Sequence, residues 1–222
     1  MFKKNLCMHP GCKKLALSAI DDNGEITDTE GFCLEHSPDP TEAVSRIRNY
    51  FLTHDKIINL NIENLSISEI DLSNKFFCGC NIQYCTFANI HATNLRIRMS
   101  VLGFCTFTDS TFLQSNIQFS SFAGTKFINT LLTGSDMIHD NFNGVTAYQS
   151  SFDDSDLYDS KFIKAILMNT SMKNCNLKKT VFYESLREAV SFKMSNTREA
   201  LFDRTKNFLI ASEEEKSEET KE

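Results

Sequence analysis

Beginning at Ile57, a large apolar side chain recurs at every fifth position: Ile62, Ile67, Leu72, Phe77, Ile82, Phe87 and onward to Phe182. Of the 30 positions on this register between Ile57 and Phe202, only Arg187 and Thr197 are not apolar. A regular internal repeat of this kind has to be explained before any local propensity is read. Two residues earlier in each unit stands a small side chain (Ser100, Cys105, Ser110, Ser115, Ser120 and on to Thr205), with Asp140 the one departure. On an α-helix five residues advance about 500°, so the large residues would decorate every side. On a flat strand five is odd, and they would alternate between faces. Neither arrangement builds one core. The pattern closes only if the backbone turns at every unit and coils, so that stacked coils bury an apolar column no single coil could bury.

The units Cys80-Asn-Ile-Gln-Tyr84, Cys85-Thr-Phe-Ala-Asn89, Ser155-Asp-Leu-Tyr-Asp159 and Cys175-Asn-Leu-Lys-Lys179 resemble the pentapeptide-repeat family, whose unit is roughly Ala-Asp/Asn-Leu/Phe-polar-polar. The resemblance implies a mainly β fold, a right-handed quadrilateral parallel β-helix with about four units per coil. Residues 57–207 would then make seven to eight coils, a rod roughly 35 Å long at a strand spacing of ~4.8 Å. At that coil length one inward corner stacks Ser100, Ser120, Asp140, Ser160 and Thr180. Asp140 is expected to be satisfied by the hydroxyls above and below it. Arg187 and Thr197 are expected in the last coil, where the column meets solvent. Lys75, at a small-residue position in the first coil, is expected to reach outward from that end.

Composition fits a filled column. Twelve of the 19 Phe lie on the single register, against eight Gly, three Pro and no Trp. No run approaches the ~20 apolar residues of a membrane span, and the start, Met1-Phe-Lys-Lys-Asn-Leu-Cys7, lacks a signal-peptide core. The expectation is a cytoplasmic protein whose eight cysteines are reduced or on metal. The net charge of −6 sits largely at the end: residues 212–222 carry 2 basic and 6 acidic groups, a tail with nothing to bury that is expected to stay disordered.

Ahead of the repeat, Val44, Ile47, Tyr50 and Phe51 form an amphipathic stripe within residues 41–54, a helix expected to cap the first coil, with Thr41 or Asp39 as N-cap. Covering that end matters because an open coil exposes unpaired backbone groups. Further upstream, Cys7 and Cys12 flank a turn at Pro10-Gly11, residues 13–32 read as a hairpin around Asp21–Gly24, and Cys33-Leu-Glu-His36 follows. Two close pairs of soft or borderline ligands across a hairpin suit a closed, structural zinc site of the treble-clef or ribbon type, with His9 as an alternative ligand. Lys3, Lys4, Lys13 and Lys14 flank the first pair as a short basic cluster. The expected organisation is a zinc module over 1–40, a capping helix over 41–56, the repeat over 57–207, and an end segment over 208–222. In that last segment Phe208-Leu-Ile210 either covers the last coil or mediates a homodimer through the rod's end, as some family members pair.

No nucleophile–base–acid order, Walker loop or GxGxxG is present, and Cys80, Cys85, Cys105 and Cys175 all fall at the small inward position, with Cys78 outward. The reading is therefore a non-enzyme, a scaffold that binds an unidentified protein partner through its sides. One side stacks Ile128, Tyr148 and Met168 outward, with Ile166 and Leu186 alongside. The family resemblance offers an alternative, since some members mimic duplex DNA and protect DNA gyrase. Such a mimic needs acid along the whole rod. Residues 57–160 carry 4 basic and 10 acidic groups, with Asp136, Asp153, Asp154, Asp156 and Asp159 clustered, but residues 161–207 carry 10 and 4. A third reading is nucleic-acid binding through the zinc module and the basic far coils.

Overall fold

The computed structural model describes residues 5–27 and 31–203. Lys3, Lys4, residues 204–207 of the repeat, Phe208–Ile210 and the acidic tail lie outside the described residues.

From residue 56 to the last coil the five-residue units supply short strands across the large apolar side chain or single bridges just before it. The units pair in parallel in steps of 20 residues: Ile57 with Phe77, Phe77 with Ile97, Ile97 with Ile117, and Ile117 with Met137. Four units complete a coil, so the chain forms a mainly β, parallel solenoid of about seven turns. Its first face is centred on Ile57, its second on Ile62, its third on Ile67 and its fourth on Leu72, each recurring every 20 residues. The register residues are buried throughout, from Ile57 to Phe182. On the second face the rings of Phe122, Phe142, Phe162, Phe182 and Phe202 stack at centroid distances of 5.3, 4.8, 5.2 and 5.0 Å. Edge-on contacts with Phe152 lock this column to the fourth face.

The chain turns each corner through a residue in the left-handed region two positions after the large one, for example Asn59 (φ 56°), Asn74 (φ 63°), Asp109 (φ 48°) and Asn129 (φ 50°). Asn, Asp and Gly tolerate that conformation best. Their frequency at this position is the turn chemistry of the repeat.

The first coil is closed by helix α1 (Pro40–Thr53), one residue earlier than the expected 41–54. The N-cap is Asp39, whose carboxylate accepts the Glu42 amide hydrogen at 2.8 Å, and Pro40 takes the first helical position. Ile47, Tyr50 and Phe51 are buried over the end of the column, with Phe51 5.7 Å from the Phe77 ring. The Arg48 guanidinium donates to the carbonyls of Ser68 and Glu69, neutralising part of the open edge. Lys75 does not reach outward. It is buried, and its ammonium donates to the His54 carbonyl at 2.9 Å and to that of Leu52 at 3.5 Å. The helix lies over the corner where Lys75 would have emerged, and its last carbonyls need a cation. At the other end, Arg187 is half-buried with its guanidinium 4.6 Å from the centre of the Phe202 ring, and Thr197 opens a short 3₁₀ turn.

Among the described residues no helix is long and apolar enough to cross a membrane.

Candidate functional site

The N-terminal segment brings its four sulfur and imidazole donors together. Cys7 donates its amide hydrogen to the Lys14 carbonyl (2.9 Å), and Cys12 closes a turn onto the His9 carbonyl (3.0 Å) with Gly11 at φ +79°. Strands β1 (Ala19–Ile20) and β2 (Ile26–Thr27) form the antiparallel hairpin. Its turn is held by the Asp21 carboxylate, which accepts amide hydrogens from Asn23 and Glu25 at 2.9 Å. Cys33 then opens a 3₁₀ turn over Leu34–His36. One donor atom from each of Cys7, Cys12, Cys33 and His36 lies within 4.8 Å of all the others. The Nδ1 of His36 is 3.5 Å from the Cys7 sulfur and 3.3 Å from that of Cys33. The donor set and its spread are compatible with a tetrahedral Cys3His zinc ion. His9 is not one of the four, and its ring instead stacks on His36 at 3.8 Å with an interplanar angle of 8°.

Electrostatics favour a thiolate at Cys7. Burial raises the Cys7 thiol, but backbone amides from Cys33 and His9 and the His36 ring outweigh it and bring the group down to about 6. Burial pushes the Cys33 thiol up, and the neighbouring Cys7 and Cys12 thiols add to this, so the proton leaves the pair from Cys7 first. Lys14 forms an ion pair with Glu35 beside the cluster, and that hydrogen bond holds the Glu35 carboxyl below its usual range.

This segment is fastened to the rod. The Ser18 amide donates to the Asn61 carbonyl at 2.8 Å, and the Asn61 amide returns to the Ser18 hydroxyl at 2.8 Å. The Asn61 side chain bonds the Ala16 carbonyl and the Asn81 amide group, and Leu17 joins the hydrophobic core.

Along the corners of the rod, hydroxyls do two jobs. Serines such as Ser100, Ser110, Ser120, Ser135, Ser150, Ser155 and Ser160 accept an amide hydrogen from the coil before and donate their own hydrogen to a carbonyl two or 23 residues upstream. Ser160, for instance, accepts from the Asp140 amide at 2.9 Å and donates to the Met137 carbonyl at 2.8 Å. The Ser120 hydroxyl donates to the Gln118 carbonyl at 3.1 Å. Asp140, fully buried in this ladder, was expected to be satisfied by such neighbours, and it is not. Its Oδ1 accepts the Ser120 amide hydrogen at 2.7 Å, while its Oδ2 has no partner, because the hydroxyl hydrogens on both sides are already committed to carbonyls. Burial raises the Asp140 carboxyl to about 7, against smaller opposing effects from the Ser120 amide and the Arg98 charge. Burial likewise pushes the Cys80 and Cys175 thiols up to about 11, where they are inert as nucleophiles at neutral pH.

Outside, the third face places Ile128, Tyr148 and Met168 in direct parallel register, and Ile166 beside Leu186. Tyr148, Ile166 and Leu186 are exposed, and Ile128 and Met168 are half-buried. A second apolar set escaped the sequence reading: Tyr84, Met99, Phe104 and Phe119 all stand at left-handed corner positions, each more than half exposed. Tyr84 stacks on Phe104 at 5.2 Å, and Phe119 on His139 at 5.1 Å. The available signal was a large apolar residue where the repeat elsewhere puts Asn, Asp or Gly.

Residues 141–178 match the family model described as pentapeptide repeats, in eight copies. Over that stretch the chain carries pentapeptide repeats. Solved structures similar to this chain include QnrB1, a plasmid-mediated fluoroquinolone resistance protein, at 18% identity over 71% of this chain and 88% of that one, with a TM-score of 0.42. Rfr23, a pentapeptide repeat protein from the cyanobacterium Cyanothece 51142, is 11% identical over 58% of this chain and 91% of its own, with a TM-score of 0.40. HetL, involved in heterocyst differentiation regulation in the cyanobacterium Nostoc sp. strain PCC 7120, is 13% identical over 70% and 92%, with a TM-score of 0.36. No curated protein matches the chain.

Proposed function

We propose that this chain is a non-enzymatic interaction protein, a rod that binds another protein through apolar patches on its sides while a structural zinc ion secures its N-terminal end. The observation that carries the reading is the contrast between inside and outside. Apart from Asp140, the inward corner hydroxyls are engaged in the ladders, whereas large apolar side chains stand in solvent along the rims of the second face and on the third. Contiguous exposed apolar side chains of this kind mark interaction surfaces. Cys7, Cys12, Cys33 and His36 would hold the zinc. Four protein ligands leave no open position for catalysis, and about forty residues need the metal's binding energy to fold.

The DNA-mimic alternative, with DNA gyrase as partner, rests on the acidic strip. Asp136, Asp156 and Asp159 lie on the first face of the fifth and sixth coils, but Lys178 and Lys179 follow directly on the seventh. The strip is thus about two coils, or ~10 Å, long, which is short for a duplex imitation. The nucleic-acid reading has the zinc module with Lys13 and Lys14 and the scattered basic residues of the far coils behind it.

The test is affinity capture from host lysate with wild type and with a Tyr148→Asp, Met168→Asp double variant. A partner captured by wild type and lost by the variant supports the apolar side. Gyrase subunits retained by both, and lost on Asp156→Lys with Asp159→Lys, would replace this reading with mimicry.

A further inference from the structure

The third face changes character along the rod. The outward positions of its first three coils are all Ser, Thr or Ala. In the fourth to seventh coils, strands Lys126–Ile128, Thr146–Tyr148, Ile166–Met168 and Leu186–Glu188 pair in parallel and in register. The middle residue of each points inward, so the first and third side chains stand outward in two columns. The patch they form has a charge at each end and apolar side chains between. Lys126 opens it in the fourth coil and Glu188 closes it in the seventh, on the other column. Both are exposed, and no ion pair engages either among the described residues. Tyr148, Ile166 and Leu186 are 39, 39 and 49% exposed.

Resting on the interaction reading above, we infer that the occupant of this patch is a second copy of the chain, packed face to face and antiparallel, with a two-fold axis lying across the face between the fifth and sixth coils. Such an axis keeps each residue in its own column and sets the fifth coil against the sixth and the fourth against the seventh. Tyr148 then meets Met168 of the second copy, and Thr146 meets Ile166, each contact occurring twice. The Lys126 stem lies over Leu186 of the second copy, and its ammonium reaches Glu188 on the same strand. Both end charges are thereby paired, again twice. A parallel pair would bury the same apolar side chains but bring Lys126 beside Lys126 and Glu188 beside Glu188. The rim shared with the second face agrees. Its sixth and seventh coils carry the long side chains of Lys164 and Glu184, 3.7 Å apart, and the two-fold axis sets Lys164 over Gly144, where no side chain is packed. The N-terminal segment does not intervene. It covers the second face of the first two coils, where Asn61 and Asn81 are buried, and under this axis those coils lie opposite a ninth and tenth, beyond the eight that the repeat supplies. The overlap is four coils, about 20 Å, which makes this a small, reversible contact.

Sedimentation equilibrium of the full chain tests the pairing. Wild type should dimerise in the micromolar range, and Tyr148→Asp with Met168→Asp should weaken the dimer at least tenfold. Lys126→Glu alone and Glu188→Lys alone should each weaken it several-fold, because like charges then face each other twice. An equimolar mixture of those two single variants should restore it, since every charge again meets its opposite. All four side chains point out of the rod, so the melting temperatures should stay near that of wild type. Wild type that stays monomeric at several hundred micromolar overturns the inference, as does a dimer undiminished by the Asp pair. A mixture that pairs no better than its two components overturns the antiparallel order. A monomer that still captures another protein would sink this inference and leave the interaction reading standing. A dimer with no captured partner would do the reverse.

Discussion

At Asp140 a single carboxyl stands where every neighbour in its ladder is a hydroxyl, and the difference is one hydrogen. A serine there would accept the Ser120 amide and donate upstream; an ionised aspartate does only the first. Protonated, it carries a hydrogen on Oδ2 in place of an uncompensated buried charge. The sign of the resulting pH effect follows. Below the ordinary carboxyl value of 3.8, folded and unfolded chains both hold the proton. Between 3.8 and about 7 the unfolded chain releases it and the folded one keeps it, so stability falls by about 1.4 kcal/mol per pH unit. Above that window the loss is complete and the profile flattens. Asp140→Asn supplies a permanent donor, and denaturant unfolding should find it more stable than wild type at pH 7.5 by roughly 2–4 kcal/mol, with the difference shrinking toward pH 4. An equal gain at both pH values would contradict the protonation account. The same scale explains the exposed corners. Phe119 sits at φ 54°, where a residue with a Cβ is strained by roughly 1–2 kcal/mol, so Phe119→Asn should raise the melting temperature if the ring serves a partner and not the fold. Asp140's burial was legible in the sequence because period five and coil length fixed its corner. Its missing partner was not, because the spacing says nothing of where neighbouring hydroxyl hydrogens point.

The elements at the N-terminal end act as one cap. Helix α1 covers the column with Ile47, Tyr50 and Phe51, Arg48 covers two edge carbonyls, and the Ala16–Ser18 stretch between the two ligand pairs bonds Asn61 of the first coil. Purified protein should carry one zinc, and Cys7→Ser or Cys33→Ser should release it. Hydrogen exchange should then quicken at Ser18 and Asn61 while amides of the central coils keep their protection. Metal-free protein with those cysteines intact and reduced would refute the zinc assignment. The four donors that the structure brings together were readable from spacing, and so was the capping helix. Spacing left His9 open, and only the geometry, with His36 Nδ1 turned to two sulfurs and His9 stacked behind it, separates the two rings. Lys75 was misjudged for a related reason: a sequence shows that a cation stands at the end of a column, but not that helix carbonyls lie over it.

On the scale of the whole molecule, the column makes the rod, and the proposed use lies on its sides. Each coil contacts only its neighbours, so damage in the middle should propagate both ways. Phe142→Ala, between Phe122 and Phe162, should cost about 3–5 kcal/mol in urea unfolding. The fold was almost wholly legible, because one register of large residues allows few backbones. The exposed apolar side chains were legible only in part, because the repeat constrains inward positions and leaves outward ones free. Apolar residues on two different faces therefore look alike until the corners are built. The account stands or falls on whether those apolar sides, and not charge, hold the partner. The measurement that decides it is the affinity of the captured complex across ionic strength, from ~50 to ~200 mM salt. An apolar interface predicts a change of less than about threefold. A loss of a thousandfold or more would be the signature of a polyelectrolyte contact and would contradict the account, returning the acidic strip or the basic far coils to the centre.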